Sequence, residues 1–347
     1  MRRVFFGLIG LVQFGALWAQ TTHTEPVLFV PTPPKTAQVF VVHDSEATSA
    51  FSPNPDAVQS MVNRAITKLT GTSTVAAAWL SLVSTQDTVG IKVVSAPGAT
   101  GGTRPAVVAA VVQGLLTARL PPRQIVVWDK NLGDLRGSGY VELADRFGVR
   151  VAGSAADGFD ETNFYDKPLL GQLVWGDHEF GRRGDGVGRK SFVSRLVSRE
   201  LTKIINIAPL LNHNTMGVSG NLFSLALGSV DNTLRFEADS DRLATAIPEI
   251  WALPLLGDRV VLNIMDALIC QYEGRQRPLL HYSTTLNQLW FSKDAVALDV
   301  LALEEMNRQR QLHDVTIVTN ATEVYLNAAI MDLGVNDRSH IQVETVP

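Results

Sequence analysis

Residues 205–236 read INIAPLLNHNTMGVSGNLFSLALGSVDNTLRF, and this stretch indicates the fold class. Its first four residues are typical of a buried strand, which we expect to end at Pro209. A polar segment with His213 and Asn214 follows, and then a run of small residues around Ser219. Open α/β proteins bind ligands where an apolar strand leads into polar and small residues. The stretch therefore predicts an α/β domain with a ligand site at a strand end.

The amino-terminal half of the chain alternates between apolar, β-branched segments and helical ones. The predicted strands are residues 39–42, 89–94, 125–128 and 149–152, and the predicted helices are residues 54–68, 74–82, 104–118 and 140–147. Over residues 89–152 this alternation predicts parallel strands that are joined by right-handed crossovers.

The same alternation continues in the carboxyl-terminal half. The predicted strands are residues 203–207, 260–265 and 288–291, and the predicted helices are residues 219–227, 241–251, 294–308 and 321–333. Asp294 is the expected N-cap of its helix, and Gly334 the expected stop of the last one. The whole pattern predicts a layered α/β domain with a mostly parallel sheet flanked by helices.

Composition divides the chain into three parts, the last of which contains an insertion. We interpret residues 1–19 as a signal peptide, residues 20–38 as an extended, proline-rich lead-in and residues 39–347 as a single α/β domain. Residues 153–190 lack periodicity and are rich in Gly, Asp and Arg, so they are interpreted as an insertion within that domain.

The first residues have the pattern of an export signal. Arg2 and Arg3 precede an apolar region over residues 4–18, and Ala19 is the expected cleavage point. The apolar region is too short for a normal spanning helix, so we expect no membrane anchor after cleavage. The alternative is an uncleaved anchor, and the paired arginines leave the twin-arginine and general export routes open. The protein is expected to be exported, to the periplasm.

Composition and charge exclude several classes of function. The chain is 46% hydrophobic and 18% charged, and its net charge of −4 gives no broad electrostatic reason to bind nucleic acid. The single cysteine, Cys270, cannot supply the ligands of an iron–sulfur cluster. It ends an apolar run, so we expect it to be a buried small hydrophobic residue.

Four polar residues follow apolar strands: Lys92, Asp129, His213 and Asp266. If the strands are parallel neighbours, their carboxyl ends share one edge, and the four side chains converge on one crevice. Each residue also has an ordinary structural interpretation, since a lysine can reach solvent from a sheet edge and an aspartate can cap a turn or helix.

We expect Lys92, Asp129 and His213 to be catalytic, with the imidazole as acid or base. Asp129 and Asp266 would orient the imidazole or bind a metal, and Asp266 is the expected metal ligand. The cofactor is left unknown, with a divalent metal open.

Four other residues are expected to bind substrate: Arg104, Asn214, Ser219 and Arg235. Arg104 follows the glycine-rich segment of residues 98–102, where backbone N–H groups ahead of a helix suit an anion. This segment matches neither a P-loop nor the Rossmann fingerprint, and a flexible crossover loop is the alternative.

Several segments together resemble the domain-of-unknown-function family 362. They are VGIKV at 89–93, RPAVVAAVVQGLL at 104–116, IVVWDK at 125–130, KIINIAPLLNHNTMGVSG at 203–220, LGSVDNTLRF at 227–236 and SKDAVALD at 292–299. The resemblance covers about residues 87–337. It implies an α/β domain with no settled reaction, in a family whose members are often exported or fused to ferredoxin modules. The iron–sulfur description of some members does not carry over to a chain with one cysteine.

The sequence departs from that family's pattern beside the expected site. Leu211 replaces a lysine, Phe223 and Ser224 replace a Lys-Asn pair, and Glu237 replaces a histidine. Either the chain belongs to a subgroup with different chemistry, or an ancestral activity has been reduced to binding.

Two main functional hypotheses follow. The first is an exported enzyme that acts on a small anionic molecule, with or without a metal, at the strand-end crevice. The second is a non-catalytic periplasmic binding or accessory protein that uses the same crevice. A third is an interaction scaffold that uses the charged segment at residues 177–190.

Overall fold

A nine-stranded sheet is the central element of the described residues. The computed structural model describes residues 35–167, 189–237, 239–274, 277–318 and 321–347, and residues 35–347 form one compact unit. The strands are β1 (Ala37–His43), β2 (Thr48–Ser49), β3 (Ser52–Pro53), β4 (Val89–Lys92), β5 (Ile125–Asp129), β6 (Arg150–Gly153), β7 (Phe159–Asp166), β8 (Lys190–Ser194), β9 (Lys203–His213), β10 (Gly217–Val218), β11 (Val260–Gln271), β12 (Ser283–Ser292) and β13 (Ile341–Val346).

Helices flank the sheet. They are α1 (Pro55–Thr70), α2 (Val75–Leu80), α3 (Gly98–Gly101), α4 (Pro105–Thr117), α5 (Leu132–Gly137), α6 (Tyr140–Phe147), α7 (Ser154–Asp157), α8 (Asn221–Ser229), α9 (Leu234–Glu237), α10 (Ser240–Trp251), α11 (Ala295–Leu312) and α12 (Glu323–Ile330). Of these described helices, none is long and apolar enough to cross a lipid bilayer.

The strand order brings the predicted strand ends to one edge. The order is β13-β1-β12-β11-β9-β4-β5-β6, and β10 folds back on the end of β9. Strands β11, β9, β4, β5 and β6 are mutually parallel, whereas β12 runs antiparallel to both of its neighbours. The prediction of a mixed α/β fold with a mostly parallel sheet is confirmed.

Alternate side chains of each central strand enter two apolar cores, one on each face of the sheet. On β5, Val126 packs in the core that contains α8, α10, α11 and α12, whereas Ile125 and Val127 pack in the core that contains α1, α4 and α6. Because helices cover both faces, these strands are continuous apolar runs rather than alternating ones.

The prediction that the strand in the opening stretch ends at Pro209 is wrong, since β9 continues to His213. The pairing of β9 with β4 stops at Asn206. Pro209 therefore lies where that edge of β9 has no neighbouring strand, and a residue without a backbone N–H is tolerated there. His213 and Asn214 then belong to a tight turn into β10 instead of a loop after a short strand.

The prediction that a strand ends at Asp266 is also wrong, because β11 continues to Gln271. The predicted loop at residues 98–102 contains the one-turn helix α3. Strand β13 was not predicted. Four of its six residues are exposed, as is common at a sheet edge, so the segment lacks the apolar pattern of a buried strand.

The expected insertion at residues 153–190 contains β7 and ends where β8 begins, and these two strands pair antiparallel. Residues 168–188, which carry most of the charged segment at 177–190, lie outside the described residues, as do the expected signal peptide and most of the lead-in. Cys270 is buried, and burial raises the pKa of its thiol well above the ordinary value, as expected for a small hydrophobic residue in the core.

Candidate functional site

Lys92 and Asp129 form a buried ion pair at the carboxyl edge of the sheet. They are the last residues of the parallel neighbours β4 and β5. Lys92 Nζ lies 2.9 Å from Asp129 Oδ1, 2.6 Å from the carbonyl oxygen of Val93 and 3.1 Å from Ser224 Oγ. Each ammonium hydrogen therefore has an acceptor, so an anion can reach this charge only through the Ser224 hydroxyl or in its place.

Asp129 is held by hydrogen bonds from the loop after each of the two strands. Its Oδ2 accepts the backbone N–H and the hydroxyl of Ser95 at 2.8 and 2.7 Å, and its Oδ1 accepts the N–H of Lys130 at 2.8 Å. Burial alone would raise the pKa of Asp129, but the charge of Lys92 and the Ser95 hydrogen bonds outweigh it and lower the pKa. Asp129 is therefore a carboxylate at physiological pH, and its negative charge balances the positive charge of Lys92.

Small residues at the N-cap of α8 and within the helix make room for charged side chains beneath it. Gly220, Ser224 and Gly228 are spaced by four and so lie on one face of the helix. A Cβ atom at Gly228 would lie 2.2 Å from Lys92 Cε, and one at Gly220 would lie 2.3 Å from Asp299 Oδ2. Lys92 and Asp299 can approach the helix this closely only because Gly228 and Gly220 have no Cβ atom.

Asp299, on α11, caps the start of α8. Its Oδ1 accepts the backbone N–H of Asn221 at 2.7 Å, and its Oδ2 accepts the N–H of Leu222 at 2.9 Å. Burial raises the pKa of Asp299 to about 6, against the opposing effect of these hydrogen bonds. The position of α8 relative to the sheet therefore depends on a buried carboxylate outside the ligand site.

A cleft of about 570 Å³ opens over the Lys92–Asp129 pair, between α8 and the loops after β4 and β5. Its apolar walls include Phe159, Phe223 and Leu227. The polar lining includes Lys92, Asp129, Lys130, Asp134, Ser219, Ser224, Thr233 and Glu237. The sequence departures Phe223, Ser224 and Glu237 thus all line this cleft.

Ser219 lines this cleft, and its buried hydroxyl has no hydrogen-bond partner among the described residues. The residue is 2% exposed, and no described residue lies within hydrogen-bonding distance of its Oγ. The backbone N–H of Ser219 is held by the carbonyl oxygen of Leu211 at 2.7 Å, so the residue itself is fixed. Buried hydroxyls are normally paired, so this one is suited to a ligand or a bound water.

The part of the cleft beyond the end of α8 is acidic. Lys130 Nζ donates to Thr233 Oγ1 at 2.8 Å, and that hydroxyl donates in turn to the Glu237 carboxylate. Asp134 accepts a hydrogen bond from the Asn131 amide at 3.0 Å. Asp134 and Glu237 are half-buried, and neither forms an ion pair within the described part of the chain.

His213 lies beside the cleft rather than in its lining. Its Nδ1 accepts the backbone N–H groups of Thr215 and Met216 at 3.3 and 3.1 Å, so the neutral ring carries its hydrogen on Nε2. The ring packs against Phe223, with 4.5 Å between the centroids. Phe223 is the described contact between His213 and the cleft.

Asp266 and Arg104 bind each other instead of facing the cleft. Arg104 Nη1 lies 3.3 Å from Asp266 Oδ1, and the Arg104 backbone N–H donates to Asp266 Oδ2 at 2.8 Å. The guanidinium also donates to the carbonyl oxygens of Thr100 and Ile269. Burial raises the pKa of Asp266, and the charge of Arg104 opposes that rise. This pair joins the start of α4 to β11.

Asn214 and Arg235 also lie away from the cleft. Asn214 lines a separate recess with Glu273 and Arg277. Arg235 is buried, and its guanidinium donates to Ser191 Oγ at 2.8 Å. Of the expected site residues, the structure therefore brings Lys92, Asp129 and Ser219 together in one cleft.

The described residues do not form a complete set of metal ligands. They contain no group of three or more His, Cys, Asp or Glu side chains placed to bind one. A cation at Asp266 would have to replace the Arg104 guanidinium, so the assignment of Asp266 to a metal stays a prediction.

The part of the cleft that comes from α8 and the segment after it was not predicted from the sequence. Ser224 has no nucleophile-elbow context, and Lys130, Asp134, Thr233 and Glu237 had no assigned role. The signal that points to α8 is the four-residue spacing of Gly220, Ser224 and Gly228. Small residues at that spacing mark a helix face that another group approaches closely.

The fold is that of an α/β protein with a cleft at the carboxyl edge of a mostly parallel sheet. A family model described as a domain of unknown function (DUF362) matches residues 89–304, which is more than half of the chain. The chain belongs to this family. No curated protein matches it.

Proposed function

We propose that this chain binds a small anionic molecule in the strand-end cleft. The carrying observation is the unpaired, buried Oγ of Ser219, a residue that lines the cleft together with Ser224 and Lys92. An unpaired, buried hydroxyl is costly unless a ligand or water satisfies it. Binding is therefore the role that this geometry supports best.

The anion would be held by two hydroxyls with a positive charge behind them. Ser224 Oγ accepts a hydrogen bond from Lys92, so its own hydrogen is available to an acceptor in the cleft. Ser219 supplies a second hydroxyl donor. A carboxylate or phosphate oxygen at this place would receive charge-assisted hydrogen bonds without disrupting the Lys92–Asp129 pair.

The test is a thermal-shift screen of carboxylates and phosphates, followed by calorimetry on each compound that binds. Ser219→Ala is expected to weaken binding about tenfold with little change in stability, since it removes one hydrogen bond to a charged group. Asn214→Ala is the matched control, because Asn214 lines a different recess. Equal affinities of Ser219→Ala and the unmodified protein would contradict the proposed site.

An enzyme acting on that same molecule is the second candidate. It is favoured by the contact between His213 and Phe223, a residue of the cleft lining. A small movement of Phe223 would let the imidazole act as acid or base on a bound ligand. In that case His213→Ala would abolish turnover and leave ligand affinity unchanged, whereas loss of both would indicate a structural role.

Metal assistance of that enzyme is a separate proposal, and elemental analysis of protein purified from its native compartment tests it. A stoichiometric metal that is lost in a His213→Ala/Asp266→Ala variant would support metal-assisted chemistry. A metal retained by the variant would place it elsewhere in the protein.

We further propose that the protein acts outside the cytoplasm, in the periplasm. The support is the charge and hydropathy pattern of residues 1–19. Amino-terminal sequencing of the secreted form is expected to begin at Gln20. An intact Met1 in the periplasmic fraction would instead indicate an uncleaved anchor.

A further inference from the structure

The cleft has two ends with different charge, and α8 separates them. Ser219 precedes α8, whereas Thr233 and Glu237 follow it. The nine residues of α8 span about 13 Å at 1.5 Å per residue. A ligand that lies along this helix can contact hydroxyl groups at one end and carboxylates at the other.

The end near Ser219 suits a negative group. Lys92 is neutralised by Asp129, but it polarises the Ser224 hydroxyl, and the Ser219 hydroxyl is unpaired among the described residues. The described carboxylates of the lining come from the end of β5 and from the segments after β5 and α8, and both oxygens of Asp129 already accept hydrogen bonds. Hydroxyl hydrogens therefore dominate what a ligand meets there.

The opposite end suits a positive group. Asp134 and Glu237 both line it, and neither is in an ion pair within the described residues. The ammonium of Lys130 donates to the Thr233 hydroxyl, which donates in turn to Glu237. Three carboxylates of the lining (Asp134, Asp231 and Glu237) and one lysine (Lys130) give this end a formal net charge of −2, so a second anion on the ligand would be repelled there.

We propose that the ligand is a zwitterion, with a carboxylate or phosphate toward Ser219 and Ser224 and an ammonium toward Asp134 and Glu237. This inference rests on the proposed binding function and adds a substrate class to it. The unpaired, buried Ser219 hydroxyl is the observation that makes the cleft a ligand site independently of its acidic residues.

The experiment compares three series of linear compounds with four to eight carbon atoms: dicarboxylates, ω-amino carboxylates and diamines. Calorimetry on the full mature chain is expected to show that the ω-amino carboxylates bind at least about tenfold more tightly than dicarboxylates of equal length, the size of one favourable ionic contact. Ser219→Ala should weaken the ω-amino carboxylates.

An Asp134→Asn/Glu237→Gln variant provides the decisive comparison. It keeps the shape of the cleft and removes two negative charges, so the preference should reverse toward the dicarboxylates. Arg338→Gln, at an exposed surface pair with Glu304, is the control for a change in surface charge.

The outcomes separate the two proposals. Dicarboxylates that bind best to the unmodified protein and are weakened by Ser219→Ala would overturn the zwitterion and leave the anion site standing. Diamines that bind best would overturn both. A preference that is unchanged by Asp134→Asn/Glu237→Gln, or no binding in any series, would overturn the zwitterion inference.

Discussion

At the scale of single residues, the absence of a side chain at Gly228 is as important to this site as its functional groups. Gly228 has no Cβ, and the space that a Cβ would occupy is taken by the end of the Lys92 side chain. A glycine inside a helix normally destabilises it by about 1 kcal/mol relative to alanine. Here the glycine allows a buried lysine to reach Asp129 and Ser224, which explains its presence in α8.

Gly228→Ala is therefore expected to destabilise the protein by about 1–3 kcal/mol, despite the better helix propensity of alanine. The new Cβ would force the Lys92 ammonium away from its hydrogen-bond acceptors. Urea unfolding of both proteins measures the change. Gly133→Ala is the matched control, because a Cβ at this helical glycine meets no atom within 4 Å. Two variants of equal stability would show that Lys92 moves without cost.

At the scale of elements, the two carboxylates that anchor the site respond to pH in opposite directions. The pKa of Asp129 is lowered in the folded protein, so its contribution to stability is present above its unfolded pKa and is lost as the pH falls through the folded value. Asp299 has a raised pKa of about 6. Its contribution is fully present below its unfolded pKa and is lost as the pH rises through about 6.

The attachment of α8 to α11 should accordingly weaken between about pH 4 and pH 7. The rise from the ordinary value to about 6 corresponds to at most roughly 3 kcal/mol. The measurement is the free energy of unfolding of the unmodified protein and of Asp299→Asn at pH 4 and pH 7.5. The advantage of the unmodified protein should be smaller at pH 7.5. An advantage that grows with pH would show that the hydrogen bonds from Asn221 and Leu222 outweigh burial.

At the scale of the whole molecule, the Arg104–Asp266 pair joins α4, on one face of the sheet, to the middle of β11. Asp266 is fully buried and Arg104 is 2% exposed. Buried ion pairs contribute little net stability, but loss of one partner leaves a buried charge uncompensated. The two residues that were expected to face a ligand therefore hold the architecture around it.

Asp266→Asn and Arg104→Met should each destabilise the fold by about 3–5 kcal/mol, whereas the double variant should lose clearly less than their sum. Asparagine still offers an oxygen to the backbone N–H of residue 104. Denaturant unfolding of all four proteins gives the coupling free energy. Additive losses would mean that the two charges do not depend on each other for stability.

The sequence by itself determined the α/β class, the family and most of the element positions. Parallel strands covered on both faces are continuous apolar runs, and caps such as Asn54 and Asp294 mark helix starts through local hydrogen bonds. These are short-range signals, so they can be read along the chain. They also placed Lys92 and Asp129 at adjacent strand ends, where the structure brings them together.

Tertiary structure alone decided which polar residues share a cleft. Asp266 pairs with Arg104 because β11 continues beyond Asp266 to Gln271, and Ser224 contacts Lys92 because α8 crosses above β4. Such contacts join residues that are more than a hundred positions apart, and each depends on competing partners elsewhere in the chain. A polar residue at a strand end can therefore serve a ligand or the fold, and the packing around it determines which.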